Sequence, residues 1–112
     1  MSPADRWRIK HMIEAAQQAL SFVENRRRDD LEDDPMLCLA LTRAVEIVGE
    51  AAAQVSAAGR AEAPEIPWQQ IVGMRNRLVH AYFDINRQIL WDTVQLALPS
   101  LVSQLKDALH EA

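Results

Sequence analysis

The chain has 112 residues, 49% hydrophobic and 25% charged, which is one domain's worth of sequence with enough apolar mass to bury a core. A net charge of -4 excludes a generally basic nucleic-acid coat, so any RNA contact must come from a local patch. With only 3 Gly and 5 Pro, the chain is too poor in turn residues for a sandwich of short strands, and the expected class is all-α.

The first predicted helix runs from about Ala4 to Arg28. Ile9, Ile13, Ala16, Leu20 and Val23 recur at steps of four and three, the spacing of one helical face. Asp5 near its start and Arg26-Arg27-Arg28 at its end suit the helix dipole. An acidic connector follows, with Asp29, Asp30, Glu32, Asp33 and Asp34.

Asp34-Pro35 reads as an N-cap followed by Pro in the first turn. The second helix is then expected from Pro35 to Ala58, with the apolar stripe Leu37, Leu41, Val45, Val48, Ala52, Val55 and with Gly59 as its stop. On another face Arg43, Glu46, Glu50 and Gln54 line up. Residues 60–67, with Pro64 and Pro67, read as a loop.

The third helix is expected from Trp68 to Tyr82, followed by a turn in which Asp84 or Asn86 caps the fourth, Arg87 to His110. Pro99 lies inside the fourth helix. It lacks a backbone N–H and clashes with the carbonyl of Gln95, so a kink is expected there. Four helices with short connections make an antiparallel bundle the default.

Cys38 has no second cysteine to pair with, which excludes an internal disulfide and a zinc knuckle. Within Leu37-Cys38-Leu39-Ala40-Leu41 it reads as a small buried hydrophobe. The N-terminus has no signal-peptide stretch, and no apolar run approaches the roughly 20 residues that span a bilayer. The expectation is a cytoplasmic protein without membrane contact.

The polar residues that stand out lie in Met74-Arg75-Asn76-Arg77-Leu78-Val79-His80-Ala81-Tyr82. On a regular helix Ile71, Met74, Leu78 and Ala81 form one apolar seam. Val72, Val79 and Phe83 form a second, with Asn76 and His80 beside it. A helix with two apolar faces needs cover on both sides, and a second copy of the chain is the simplest cover.

Histidine exchanges a proton near neutral pH, arginine presents a fork of donors that matches phosphate, and asparagine can orient a neighbouring group. Together Arg75, Asn76 and His80 suit cleavage of RNA by its own 2′-hydroxyl without a metal. His11, His80 and His110 share no ligand spacing, so neither metal nor cofactor is expected. Arg75 and His80 are about 140° apart on a regular helix, and converge only if the helix ends near His80 or the cleft is wide and shared between protomers. The same residues at a helix end also cap carbonyls and favour the dipole, and on pattern alone that reading is the stronger.

Arg75, four residues, then His80 resembles the motif of HEPN ribonucleases. The fuller string Arg75-Asn76-x-x-Val79-His80-x-Tyr82 is similar to that of the HepT-like toxins of HepT/MntA toxin–antitoxin systems. Ile47-Val48-Gly49-Glu50-Ala51, Ile66-Pro67-Trp68, Gly73-Met74, Leu90-Trp91 and Leu98-Pro99-x-Leu101 extend the resemblance over most of the chain.

The resemblance implies a single HEPN-type helical domain over residues 1–112. It implies a homodimer whose motifs share a cleft, and metal-independent endoribonuclease activity that leaves cyclic phosphate ends. By this resemblance His80 is the general acid/base, Arg75 the phosphate and transition-state group, and Asn76 their polar support. It also implies a type VII toxin whose partner, an MntA-like minimal nucleotidyltransferase, neutralises it by AMPylation of Tyr82.

A different class stays open beside this one: a non-catalytic HEPN scaffold that presents nucleotide or substrate to a nucleotidyltransferase. The intact Arg75–His80 pair favours the enzyme, and the overall acidity favours the scaffold. Glu50 reads as a surface residue, a partner for a motif Arg across the bundle, or a cleft residue. Trp68 and Trp91 read as core anchors. Arg26-Arg27-Arg28 reads first as a helix end facing the acidic connector, and second as a contact for RNA phosphates or the partner.

Overall fold

The computed structural model describes residues 1–81 and 84–110, the side chains of residues 80 and 81 excepted. Helix α1, Pro3–Phe22, begins where the Ser2 hydroxyl accepts the Asp5 N–H and Pro3 occupies the first turn. It buries Ile9, Met12, Ala15, Ala16 and Ala19. Small residues at three of these positions let α1 lie along the helix it touches most, α3 (Pro35–Ala53).

Helix α1 stops six residues before the expected end at Arg28, because Asn25 takes a left-handed conformation with φ of 60°. The three arginines therefore do not sit in its last turn. Arg26 instead bonds Asp30 at 3.3 Å and Asp34 at 2.9 Å, and Arg28 bonds Asp29 at 3.0 Å. The acidic connector carries a short turn of helix, α2 (Asp30–Asp33), which buries Leu31.

Asp34 caps α3 as expected, its carboxylate accepting the Leu37 N–H at 3.2 Å. The whole predicted stripe from Leu37 to Val55 is buried, and so is Cys38. Helix α3 ends at Ala53 rather than Ala58, because Ser56 starts a new short helix, α4 (Ala57–Ala61). Gly59 lies inside α4 and stops nothing. The Asp5 carboxylate occupies the space that a Cβ would need.

The expected third helix is broken into α5 (Trp68–Val72) and α6 (Met74–Leu78), and α6 ends four residues before Tyr82. Strand β1 (Val79–Ala81) follows and pairs antiparallel with β2 (Asp84–Ile85), with Val79 opposite Ile85. The facing pair, Val79 and Ile85, is β-branched, and such residues favour extended backbone. The Asn86 N–H donates to the Leu78 carbonyl at 2.7 Å, satisfying the exposed end of α6.

Ile71, Met74 and Leu78 of the first seam are buried, while its fourth member, Ala81, lies in β1 with its side chain outside the described residues. The second seam does not exist as a helical face: Val79 is in a strand and Val72 is half-exposed, while Phe83 lies outside the described residues.

Asn86 caps α7 (Arg87–Asp92), its side-chain oxygen accepting the Ile89 N–H at 3.0 Å. A π-helical turn, Thr93–Ala97, leads into α8 (Leu98–His110). The irregularity expected around Pro99 thus takes the form of a wide turn, in which the Leu98 N–H donates to the Thr93 carbonyl. Leu98, Leu101, Val102 and Leu105 of α8 complete the core with α1 and α3. Trp68 is buried, its indole N–H donating to the Ala63 carbonyl at 3.1 Å. Trp91 packs partly buried against the core. Among the described residues no helix is long and apolar enough to cross a membrane.

Candidate active site

The site begins with a close helix approach. Gly49 has no side chain, and a Cβ there would come within 3.1 Å of the Ile71 carbonyl. The backbone of α5 therefore lies directly on α3, and α6 continues along it. This approach places Arg75, near the start of α6, opposite Glu46, one turn before Gly49 on α3. The Arg75 Nε–H donates to Glu46 Oε2 at 2.9 Å, across a separation of 29 residues.

A groove of ≈ 330 Å³ opens beside this ion pair. Thr42, Arg43 and Glu46 of α3 and Arg75 of α6 give it a polar wall, while Leu39, Val79 and Ile85 supply apolar surface. Thr42 is buried and spends its hydroxyl on the Cys38 carbonyl, at 2.8 Å. Arg43 reaches along its own helix to Glu50, at 3.1 Å. A depression of ≈ 370 Å³ elsewhere, with Gln70, Arg77, Leu96 and Gln104 in its wall, does not include Arg75.

The partner of the motif arginine is thus Glu46 and not Glu50, which pairs with Arg43 at the surface. Glu46 belonged to the polar face legible in the sequence. What selects it over Glu50 is the register of α6 against α3, which Gly49 sets.

Asn76 is exposed on α6, and its backbone N–H donates to the Gly73 carbonyl at 3.1 Å. Asn76 does not line the groove. His80 is in β1, two residues past the end of α6. The helix therefore ends near His80, one of the two conditions for Arg75 and His80 to converge. The His80 side chain and all of Tyr82 lie outside the described residues. Among the described residues, no group of three His, Cys, Asp or Glu side chains is placed to hold a metal ion.

An exposed guanidinium fixed through one nitrogen, beside a partly apolar groove, is suited to an anionic group carrying a ring or sugar, such as a nucleotide. The comparisons with known proteins point the same way. The chain matches the family model described as "Ribonuclease HepT-like" over residues 12–108. It is 32% identical over 103 residues to "Putative RNase TTE0752" of Caldanaerobacter subterraneus subsp. tengcongensis, covering 92% of each chain. It is 36% identical over 97 residues to "Probable ribonuclease HepT" of Thermococcus cleftensis, covering 82% of this chain and 87% of the relative. It is 30% identical over 95 residues to "Putative RNase MJ1380" of Methanocaldococcus jannaschii, covering 85% and 87%. No solved structure is a significant match.

Proposed function

Because the chain belongs to the HepT-like ribonuclease family, we propose that it is a metal-independent endoribonuclease acting as a homodimer, the toxin of a type VII toxin–antitoxin pair. The observation that carries this reading is the Arg75 guanidinium. It is half-exposed at a groove, in a chain that carries the motif histidine five residues beyond it.

In the proposed reaction a basic His80 imidazole takes the proton from a ribose 2′-hydroxyl. The 2′-oxygen attacks the adjacent phosphorus, and Arg75 stabilises the negative charge that builds on the phosphorane oxygens. The bond to the 5′-oxygen breaks, and a protonated imidazole returns a proton to that oxygen. The products are a 2′,3′-cyclic phosphate and a free 5′-hydroxyl. A dimer with a shared cleft supplies His80 twice, as base and as acid, and Asn76 supports the pair. Exposed Leu39 in the groove wall and exposed Met36, a turn before it on α3, favour cover by a second copy.

Control in this reading falls to a minimal nucleotidyltransferase of the MntA type. The Tyr82 phenol oxygen attacks the α-phosphorus of ATP, pyrophosphate leaves, and AMP remains on the toxin. The added phosphate competes with RNA for Arg75, and the adenosine obstructs the cleft.

The test is incubation of the purified protein with total RNA in excess chelator, followed by analysis of the new ends. Cyclic phosphate and 5′-hydroxyl termini are expected. Intact RNA at every protein concentration overturns the enzyme in favour of a scaffold that binds nucleotide and cuts nothing.

A further inference from the structure

We propose that Glu46 is the positioning residue of the ribonuclease site, holding Arg75 by its Nε edge so that the two terminal nitrogens are left for the scissile phosphate. This rests on the ribonuclease reading of the groove.

Three observations lead to it. The contact is short and direct, 2.9 Å between Arg75 Nε and Glu46 Oε2, and joins α3 to α6. Both residues line the same groove. The pair is also asymmetric: the Glu46 side chain is 21% exposed and that of Arg75 51%. The carboxylate is the anchored end and the guanidinium the open one.

The neighbouring pair on the same face of α3 makes the contrast. Arg43 and Glu50 are 59% and 60% exposed and belong to one helix, an ordinary surface pair of the kind that contributes little. Glu46 instead spans two elements and is partly withdrawn from water. Its geometry also suits the chemistry. A guanidinium has a side edge through Nε and a terminal edge through its two other nitrogens, and either can grip an oxyanion. A carboxylate on Nε removes the side-edge alternative and stops the long side chain from swinging. That ordering is made once, in folding, and not at each turnover.

The arrangement carries a cost that makes it testable. Glu46 places a negative charge beside the groove that a phosphate must enter, which opposes RNA binding. Removing it is expected to leave binding as tight or tighter while slowing chemistry, the opposite of losing a substrate contact.

The experiment compares the parent with Glu46→Ala, Glu46→Gln and the remote charge control Glu24→Gln. Cleavage of a short RNA oligonucleotide is followed in chelator, and the arginine Nε–H signals by 15N NMR. For Glu46→Ala the expected result is a kcat at least about 10-fold lower, with KM unchanged or reduced. The Arg75 Nε–H signal is expected to be lost to exchange. Glu46→Gln keeps an acceptor oxygen and is expected to restore both the signal and most of kcat. Glu24→Gln, on an exposed turn, is expected to match the parent.

An unchanged kcat in Glu46→Ala overturns the proposal. So does a raised KM at constant kcat, or a loss in Glu46→Gln equal to that in Glu46→Ala. Unfolding of Glu46→Ala alone leaves Glu46→Gln to decide. A parent that cuts no RNA overturns the ribonuclease reading and the positioning role with it, and is told apart because the parent itself is then inactive.

Discussion

The carboxylate of Asp5 is buried against Ser56, 51 residues along the chain, accepting its backbone N–H at 2.9 Å and its hydroxyl at 2.6 Å. The same Ser56 hydroxyl accepts the Gly59 N–H at 3.0 Å and so caps α4. One carboxylate therefore ties the first turn of α1 to the start of α4. The Ser56 hydroxyl first, and its N–H second, hold the Asp5 carboxyl below the usual carboxylate range, against the opposing effect of burial.

A pH dependence follows from the sign of that shift. Between the folded and unfolded pKa values the unfolded chain binds more protons, so stability rises with pH there. The Asp5 contribution is complete above the unfolded value of about 3.9 and is lost as pH falls through the folded one. Asp5→Asn, which puts an amide NH2 in place of one of the two oxygens that Ser56 separately bonds, is expected to cost about 1–3 kcal/mol at neutral pH. The gap between parent and variant should narrow as pH drops below about 4. Asp30 and Asp34 are also held low, by the Arg27 N–H and by the Arg26 guanidinium respectively. They are common to both proteins and cancel. Urea midpoints at neutral and acid pH check this; a gap independent of pH would show that Asp5 acts only through shape.

Gly59→Ala sets helix propensity against packing. Propensity alone favours the variant by about 1 kcal/mol, since alanine replaces glycine inside a helix. A Cβ at residue 59 meets the Asp5 carboxylate, 2.9 Å from its Cγ and 3.1 Å from a Val55 methyl. Displacing the carboxylate breaks its bonds to Ser56. The expected net result is destabilisation of about 1–3 kcal/mol, read as a lower Tm. A variant more stable than the parent would mean that Asp5 moves aside at no cost.

For catalysis, His80→Ala is expected to lower the cleavage rate by about 10²–10⁴ and Arg75→Ala by about 10²–10³, both in folded protein. Arg75→Lys keeps the charge and loses the planar fork, including the Nε–H that Glu46 accepts. It should therefore lose most of the rate while binding RNA nearly as well. Binding by fluorescence anisotropy and cleavage under single-turnover conditions separate these effects. A fully active Arg75→Lys would reduce the role of Arg75 to a point charge.

For control, incubation with a cognate nucleotidyltransferase, ATP and magnesium is expected to add AMP to the parent and none to Tyr82→Phe. Intact-protein mass spectrometry reads the difference. An active partner that leaves the parent's mass unchanged would point to neutralisation by complex formation alone.

Chain order, periodicity and capping residues were sufficient for the helical class, the buried stripe of α3 and the cap at Asp34, and narrowed the cap of α7 to Asp84 or Asn86, of which the structure uses Asn86. Each of these depends on residues within a turn or two of one another. The Arg75-x4-His80 motif, too, is visible as a string. Its surroundings are not.

Local pattern continues the third helix to Tyr82, whereas the chain leaves helix at Leu78, where the Asn86 N–H meets the last carbonyl and a strand partner is available. Helix propensity over five residues is too weak to resist such tertiary pairing. Gly59 reads locally as a helix stop; only the arrival of Asp5 from the other end of the chain explains it. Glu46 and Glu50 share one face of one helix, and nothing in their spacing chooses between them. The choice is made by the bare backbone at Gly49, which lets α5 settle on α3 and brings Arg75 into the reach of Glu46. Sequence determines which faces are apolar and where helices begin, because those are short-range properties. Which charged groups meet is decided by helix register, a long-range property that exists only once the elements have packed.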